Sequence, residues 1–158
     1  MAEKLITMPA KFEQLIDELR EQGPFETNKA VMNFAAAVGW YFVKEREPRG
    51  KGTHGREIRW NVFESTNDDA FIHVLALAES ESIEILGRER QKTEDDPIKV
   101  FEEYATAGLQ YIQSKCVDVP GDLLDNLLDL IAEVNASPVE PRPGFEGLTP
   151  EALDFLAG

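Results

Sequence analysis

Residue types able to do chemistry are few in this chain. Two histidines, His54 and His73, and one cysteine, Cys116, are its whole complement of imidazole and thiol. His54 lies among glycines in Gly52-Thr53-His54-Gly55, and His73 stands inside the apolar run Phe71-Ile72-His73-Val74-Leu75. Neither shows the spacing that zinc-binding helices use to converge two imidazoles, and His73 reads first as a histidine satisfied within a core. Cys116 has Lys115 as its only basic neighbour in sequence and no evident base to form its thiolate, so an inert thiol is expected. Gly50-Lys51-Gly52-Thr53 lacks the upstream glycine, the GK[ST] ending and the following helix with which a phosphate loop aims backbone amides at its ligand. The 30 carboxylates could include a general acid and base, but solvated helix faces have the same composition. These residues predict no catalytic group, no cofactor and no metal. A hydrolase with carboxylate-bound metal is a third reading.

Charge is more informative. The formal net charge is -14, which taken alone opposes nucleic-acid binding, because a protein holds a duplex largely by placing Lys and Arg on its phosphates. The acidity is unevenly spread. Residues 1–92 carry 13 basic and 16 acidic side chains, and residues 93–158 carry 3 and 14. Within the first part, Lys44, Arg46, Arg49, Lys51, Arg56 and Arg59 face only Glu45, Glu47 and Glu57, a local net of +3 with His54 beside them. This segment reads either as an anion-binding patch or as a solvated loop whose charges keep a glycine-rich stretch in solution.

The elements that must position these residues are mostly helical. Lys4 to Met8 predicts a short strand, and Phe12, Leu15, Ile16 and Leu19 repeat at the spacing of one helical face until Gly23-Pro24 ends it. Thr27 is placed to cap a helix over about 28–43 that is apolar nearly all round, hence either the centre of the fold or part of an oligomer interface. Pro48, Gly50, Gly52 and Gly55 mark a loop; Ile58, Trp60 and Val62 then alternate with Arg59 and Asn61 as an extended segment that Phe63 continues. Asn67, Asp68 or Asp69 caps a helix through Ala78, and Ser82 to Leu86 is a short amphipathic piece. Asp96-Pro97 opens a helix bearing Phe101, Tyr104, Ala105, Leu109 and Ile112, and Pro120-Gly121 opens another rich in leucine.

Leu124-Asp125-Asn126-Leu127-Leu128 spells an LxxLL spacing, for which core packing or oligomerisation outweighs a groove-binding role because Leu123, Leu130 and Ile131 extend the apolar surface. Residues 135–147, with Pro138, Pro141, Pro143, Gly144 and Gly147, form a linker to a short helix over 148–158. Its Leu148, Leu153, Phe155 and Leu156 could bind a partner or dock on their own domain.

A length of 158 residues suits one domain, here a mainly α compact helical domain over 1–134 with a short N-terminal strand: a core to 115 and an acidic helical extension over 116–134. One cysteine excludes a disulfide scaffold, and no stretch approaches the roughly 18 apolar residues of a membrane span, so a soluble protein in the cytoplasm is expected. No internal repeat is visible.

Several ordered pieces carry a resemblance. Met8-Pro9 leading into Phe12 to Leu19, Pro24-Phe25-Glu26-Thr27, Phe34-Ala35-Ala36-Ala37-Val38-Gly39, Ile58-Arg59-Trp60-Asn61-Val62-Phe63, Phe71-Ile72 to Leu77-Ala78-Glu79, and Phe101-Glu102-Glu103-Tyr104-Ala105 with Gly108-Leu109 resemble the DNA phosphorothioation-associated protein 4 family, also described as Dnd system-associated protein 4. They span Ile6 to about Lys115; the acidic region from Val117 onward lies outside the match. The run from Lys29 to Trp40 with Arg59 to Phe63 is also similar to DndE, a small protein of the same machinery, which would imply a ribbon-helix-helix-like N-terminal core.

That system replaces a non-bridging phosphate oxygen with sulfur, and associated proteins restrict unmarked DNA, so the resemblance implies a phage-defence context. The lone cysteine argues against persulfide chemistry in this chain. The expectation is a non-enzymatic accessory, a homo-oligomeric scaffold that meets other Dnd proteins and contacts the DNA backbone through Lys44, Arg46, Arg49, Lys51, Arg56 and Arg59. The alternative is a pure adaptor without DNA binding, its acidic C-terminal region docking on partner proteins.

Overall fold

The computed structural model describes residues 4–48, 50, 55–80 and 96–136. Of these, 72% are helical, so the architecture is mainly α, with a single two-stranded sheet among the described residues. In chain order the elements are β1 (Leu5–Thr7), α1 (Glu13–Gln22), α2 (Asn28–Val38), β2 (Glu57–Arg59), α3 (Trp60–Glu64), α4 (Asp69–Ser80), α5 (Pro97–Ile112) and α6 (Leu123–Ala136).

Local chemistry sets most of these boundaries. A tight turn over Ala10–Phe12 follows Pro9 into α1, whose Leu15, Ile16 and Leu19 face the core, and Gly23 ends it by donating its N–H to the Leu19 carbonyl. Thr27 Oγ1 accepts from Ala30 N at 3.1 Å, and Asp96 accepts from Ile98 N at 2.9 Å just before Pro97. Each such cap satisfies an otherwise orphaned helix amide and contributes about 1 kcal/mol.

The centre of the molecule is the crossing of α2 on α5. Ala35, Ala36, Ala105 and Ala107 are buried there, and Gly39 meets Gly108. A Cβ added to Gly39 would collide with the Tyr104 carbonyl and stand 3.0 Å from Gly108 N; one added to Gly108 would collide with the Ala35 carbonyl and stand 2.9 Å from Gly39 N. The two backbones are therefore in direct contact, which only glycine at both positions allows.

Aromatic contacts cover the other sides of α2 and its continuation. Phe34 lies 5.0 Å from Phe25, Trp40 meets Tyr104 edge-on at 5.4 Å, and Phe42 stacks on Tyr111 at 4.9 Å. The all-round apolarity of this helix is thus largely covered within the chain. Both α2 and α5 end in a wide turn, over Gly39–Val43 and Gln113–Val117, closed by Lys44 N donating to Gly39 O at 2.8 Å and Asp118 N to Gln113 O at 2.9 Å.

β1 and β2 pair antiparallel with Leu5 opposite Arg59, Ile6 opposite Ile58 and Thr7 opposite Glu57. Ile6 and Ile58 point inward, as the two-residue period requires. The strand, helix, helix order of the N-terminal core is present, but β1 takes its partner from the same chain.

The extended segment expected over Ile58 to Phe63 stops at Arg59. Trp60 and Phe63 are three residues apart, so a helical turn places both rings on one face, 6.4 Å between centroids, where an extended chain would point them to opposite sides. Ser65 Oγ donates to the Val62 carbonyl and helps close this turn.

α6 packs on the wide turn after α5 and on α1, and its Leu123, Leu127 and Leu130 join the same core. It continues to Ala136, so residues 135 and 136 are helical where a linker was expected. The Ser82 to Leu86 piece, the linker from 137 and the 148–158 helix lie outside the described residues.

The Gly108 contact yields a prediction. Gly108→Ala gains about 1 kcal/mol of helix propensity, but the new methyl meets backbone that must move, and overpacking of this kind typically costs about 1–3 kcal/mol or more. Urea unfolding of Gly108→Ala should show a net loss of stability, while Ala37→Ser, at an exposed position of the same pair of helices, should differ little from wild type.

Candidate nucleic-acid interface

The basic segment begins where α2 ends. Lys44 closes the wide turn in the left-handed backbone conformation, with φ 62°, and its side chain is exposed. A residue with a Cβ is strained there, a position glycine or asparagine more often fills. Two residues on, the chain is tied down. Arg46 Nε donates to Glu103 Oε1 at 3.0 Å, its Nη1 stands 3.6 Å from Glu79 Oε1, and Glu47 N donates to the Glu103 carbonyl at 3.2 Å.

Those partners come from two helices. Glu103 is on α5 and Glu79 near the end of α4, so Arg46 joins both to the start of the segment. The side chains of Arg46 and Glu103 are only 18% and 13% exposed, a pair shielded enough for its attraction to exceed that of a surface pair. Tyr104, 2% exposed beside Glu103, donates its hydroxyl to Glu79 Oε2. Burial and then this bond to a carboxylate push the phenol well above its ordinary range.

The far end of the segment is also fixed. Gly55 packs against β1's exit so closely that a Cβ would overlap the Met8 carbonyl, and Met8 N donates to the Arg56 carbonyl at 2.8 Å. Arg56 then grips Asp17 of α1 through both terminal nitrogens, Nη2 to Oδ2 at 2.9 Å. Hydrogen bonding to Arg56 holds the Asp17 carboxyl below its usual range. Both side chains are about two-fifths exposed, so this is a solvent-screened pair. Arg59 follows on β2, exposed and engaged in an interaction of its own, and Lys4 at the start of β1 reaches over the Trp60 ring at 5.6 Å.

Of the six bases expected to contact DNA, the structure therefore gives Arg46 an internal structural role and places Arg56 in an exposed ion pair. Lys44 and Arg59 are exposed, while Arg49 and Lys51 lie outside the described residues, as does His54. Leu148, Leu153, Phe155 and Leu156 also lie outside them. The acceptors Glu79, Glu103 and Asp17 escaped the sequence reading because they are 33, 57 and 39 residues from their bases, and no local pattern marks a long-range ion pair. Glu102, likewise unforeseen, accepts the Thr7 N–H at 2.6 Å and ties β1 to α5.

The remaining chemistry-bearing residues are packed. His73 lies on α4 with its ring 5.8 Å from Trp60. Cys116 is 2% exposed in the turn after α5, and burial raises its thiol above the ordinary range, which disfavours the nucleophilic thiolate. Among the described residues no three His, Cys, Asp or Glu side chains converge as metal ligands, and no helix is long and apolar enough to cross a membrane.

Together these features define a mainly α protein with one core and a basic segment clamped at both ends by acidic groups of three helices. The chain belongs to the family of DNA sulphur modification system-associated protein 4, whose model matches residues 6–146. The match includes the acidic region after Val117, so α6 is part of what the family shares. No curated relative and no solved structure matches the chain. Membership makes this a protein associated with the Dnd phosphorothioation system and implies partnership with its other proteins.

Two predictions follow from the clamp. A double-mutant cycle on Arg46→Ala and Glu103→Ala, read by urea unfolding, should give a coupling of about 1 kcal/mol or more, whereas the same cycle on Arg56 and Asp17 should give a smaller one that vanishes in high salt. For Tyr104 the folded-state value lies above the ordinary 10.0, so the protonated phenol favours the fold. That stabilisation is complete below about pH 10 and is lost as pH rises beyond it. The alkaline loss of stability should accordingly be shallower in Tyr104→Phe than in wild type.

Proposed function

We propose that this chain is a non-catalytic accessory of the phosphorothioation machinery that touches the DNA backbone through its basic segment. The observation that carries the proposal is a segment of local charge +3 in a chain of -14, held in place at both ends. Holding the ends lowers the entropy lost when the bases between them meet phosphates.

In this reading Arg46 positions the segment, and Arg49, Lys51, Arg56 and Arg59 supply the phosphate contacts. Phosphate contacts of this kind set position on the duplex without reading sequence. Arg56 can exchange its exposed partner Asp17 for a phosphate, since a screened surface pair is weak. The acidic remainder of the chain opposes approach at long range, but at about 0.15 M salt its field decays within roughly 8 Å, which leaves contact to local charges. The sequence ground for a homo-oligomer is the apolarity of α2, which its own chain largely covers, so DNA contact in this reading does not require a second copy.

The test is fluorescence anisotropy of a short duplex, with and without phosphorothioate, against wild type and a variant with Arg49, Lys51, Arg56 and Arg59 changed to Glu. Four contacts predict a slope of log affinity on log salt of about -3.6, with binding lost in the variant. Absence of binding by wild type at any salt would overturn DNA contact and favour the adaptor reading.

A further inference from the structure

Most large apolar side chains exposed among the described residues are scattered, but three share one helix. Leu124, Leu128 and Ile131 are 37%, 54% and 41% exposed. Their spacing of four and then three residues places them in a single stripe over two turns of α6, about 10 Å long. They are not the leucines that hold α6 to the protein: Leu123, Leu127 and Leu130 do that, on a face roughly 100° away round the helix. α6 is thus apolar on two faces, of which the described residues cover one.

The charges that α6 and its approach carry are of one sign. Between Cys116 and Ala136 the chain has Asp118, Asp122, Asp125, Asp129 and Glu133 and no Lys or Arg. Asp125 stands about 60° round the helix beyond Leu128 and gives the apolar strip an acidic edge, with Asp129 further round, where it lines a hollow with Lys115.

From this we propose that the outer face of α6 is a docking surface for an amphipathic helical segment of a partner protein, one that carries Lys or Arg beside its apolar face. Charge selects this occupant. A second copy would bring the same carboxylates against themselves, in a chain of net charge -14. The chain's own residues 137–158 hold one base and four acids, so they too are mismatched. A basic amphipathic helix supplies both the apolar side chains at helical spacing and the opposite charge. This face lies outside the basic segment, and its occupancy does not depend on DNA binding.

The probe is a fluorescein-labelled helical peptide with leucines at i, i+4 and i+7 and lysines flanking them, titrated with the full chain. Controls are the same composition scrambled so that the leucines share no face, and the same spacing flanked by glutamate. The regular basic peptide should bind at least about 10-fold more tightly than either control. Leu124→Ser with Leu128→Ser, at exposed positions that leave the core leucines untouched, should remove that advantage, and Asp125→Asn with Asp129→Asn should reduce it and flatten its salt dependence.

Equal binding of the scrambled peptide, or binding indifferent to Leu124 and Leu128, would reduce the effect to bulk charge and overturn the proposal. Loss of sedimentation as a dimer in the leucine variant would assign the face to a second copy instead. Tenfold tighter peptide binding after Leu153→Ser with Phe155→Ser would assign it to the chain's own C-terminal segment.

Discussion

The backbone contact between Gly39 and Gly108 is the constraint from which the rest of the architecture follows. Helices whose interface side chains are alanine and glycine approach until their main chains touch, and that proximity fixes where the neighbouring residues go. On one side of the crossing, Tyr104 is pressed against Trp40; one residue earlier, Glu103 is turned toward the chain that leaves α2. The wide turn after Gly39 redirects that chain immediately, so that Arg46 arrives beside Glu103 rather than in solvent. Packing at the centre and electrostatics at the edge are therefore one arrangement.

The polar cluster at that edge illustrates how partial burial alters an ion pair. Arg46 with Glu103 is shielded by two helices and the turn, and Glu79 and the Tyr104 hydroxyl complete its surroundings, so few charges or donors are left uncompensated. Arg56 with Asp17 has better hydrogen-bond geometry, two terminal nitrogens on two oxygens, yet stands in water. Shielding, more than distance, decides that the first pair shapes the fold and the second is available for exchange.

What the residues revealed in advance was whatever local spacing controls. Caps at Thr27 and Asp96 and the stop at Gly23 are matters of a few consecutive residues and are found where the sequence places them, whereas of the LxxLL leucines Leu127 alone is buried and Leu124 and Leu128 are exposed. The misplaced element, Trp60 to Phe63, also obeys local rules, but a short apolar run satisfies strand and helix periodicity alike, and packing against Phe101 and His73 decided between them. Glycines 39 and 108 both fall in the pieces that carry the family resemblance, but their packing role was not legible, because it depends on two positions 69 residues apart meeting in space. The same holds for the candidate interface: its bases were legible as a cluster, and their carboxylate partners, supplied by distant helices, were not.

α1 stands between the two charged regions of the molecule. Its Asp17 holds Arg56 of the basic segment, and it also packs on α6, where the acidity is concentrated. A helix with its side chains is about 10–12 Å across, comparable with the screening length of roughly 8–10 Å at moderate salt. Under those conditions each region meets its surroundings largely as a separate surface. At about 0.01 M salt, where the screening length reaches roughly 30 Å, the carboxylates of α6 act on anything approaching the basic segment, and repulsion from the whole chain opposes the local attraction. The sign that a distant phosphate encounters therefore depends on ionic strength, while the sign it meets on contact does not. At moderate salt the acidic and basic regions of the chain are thus electrostatically separate surfaces.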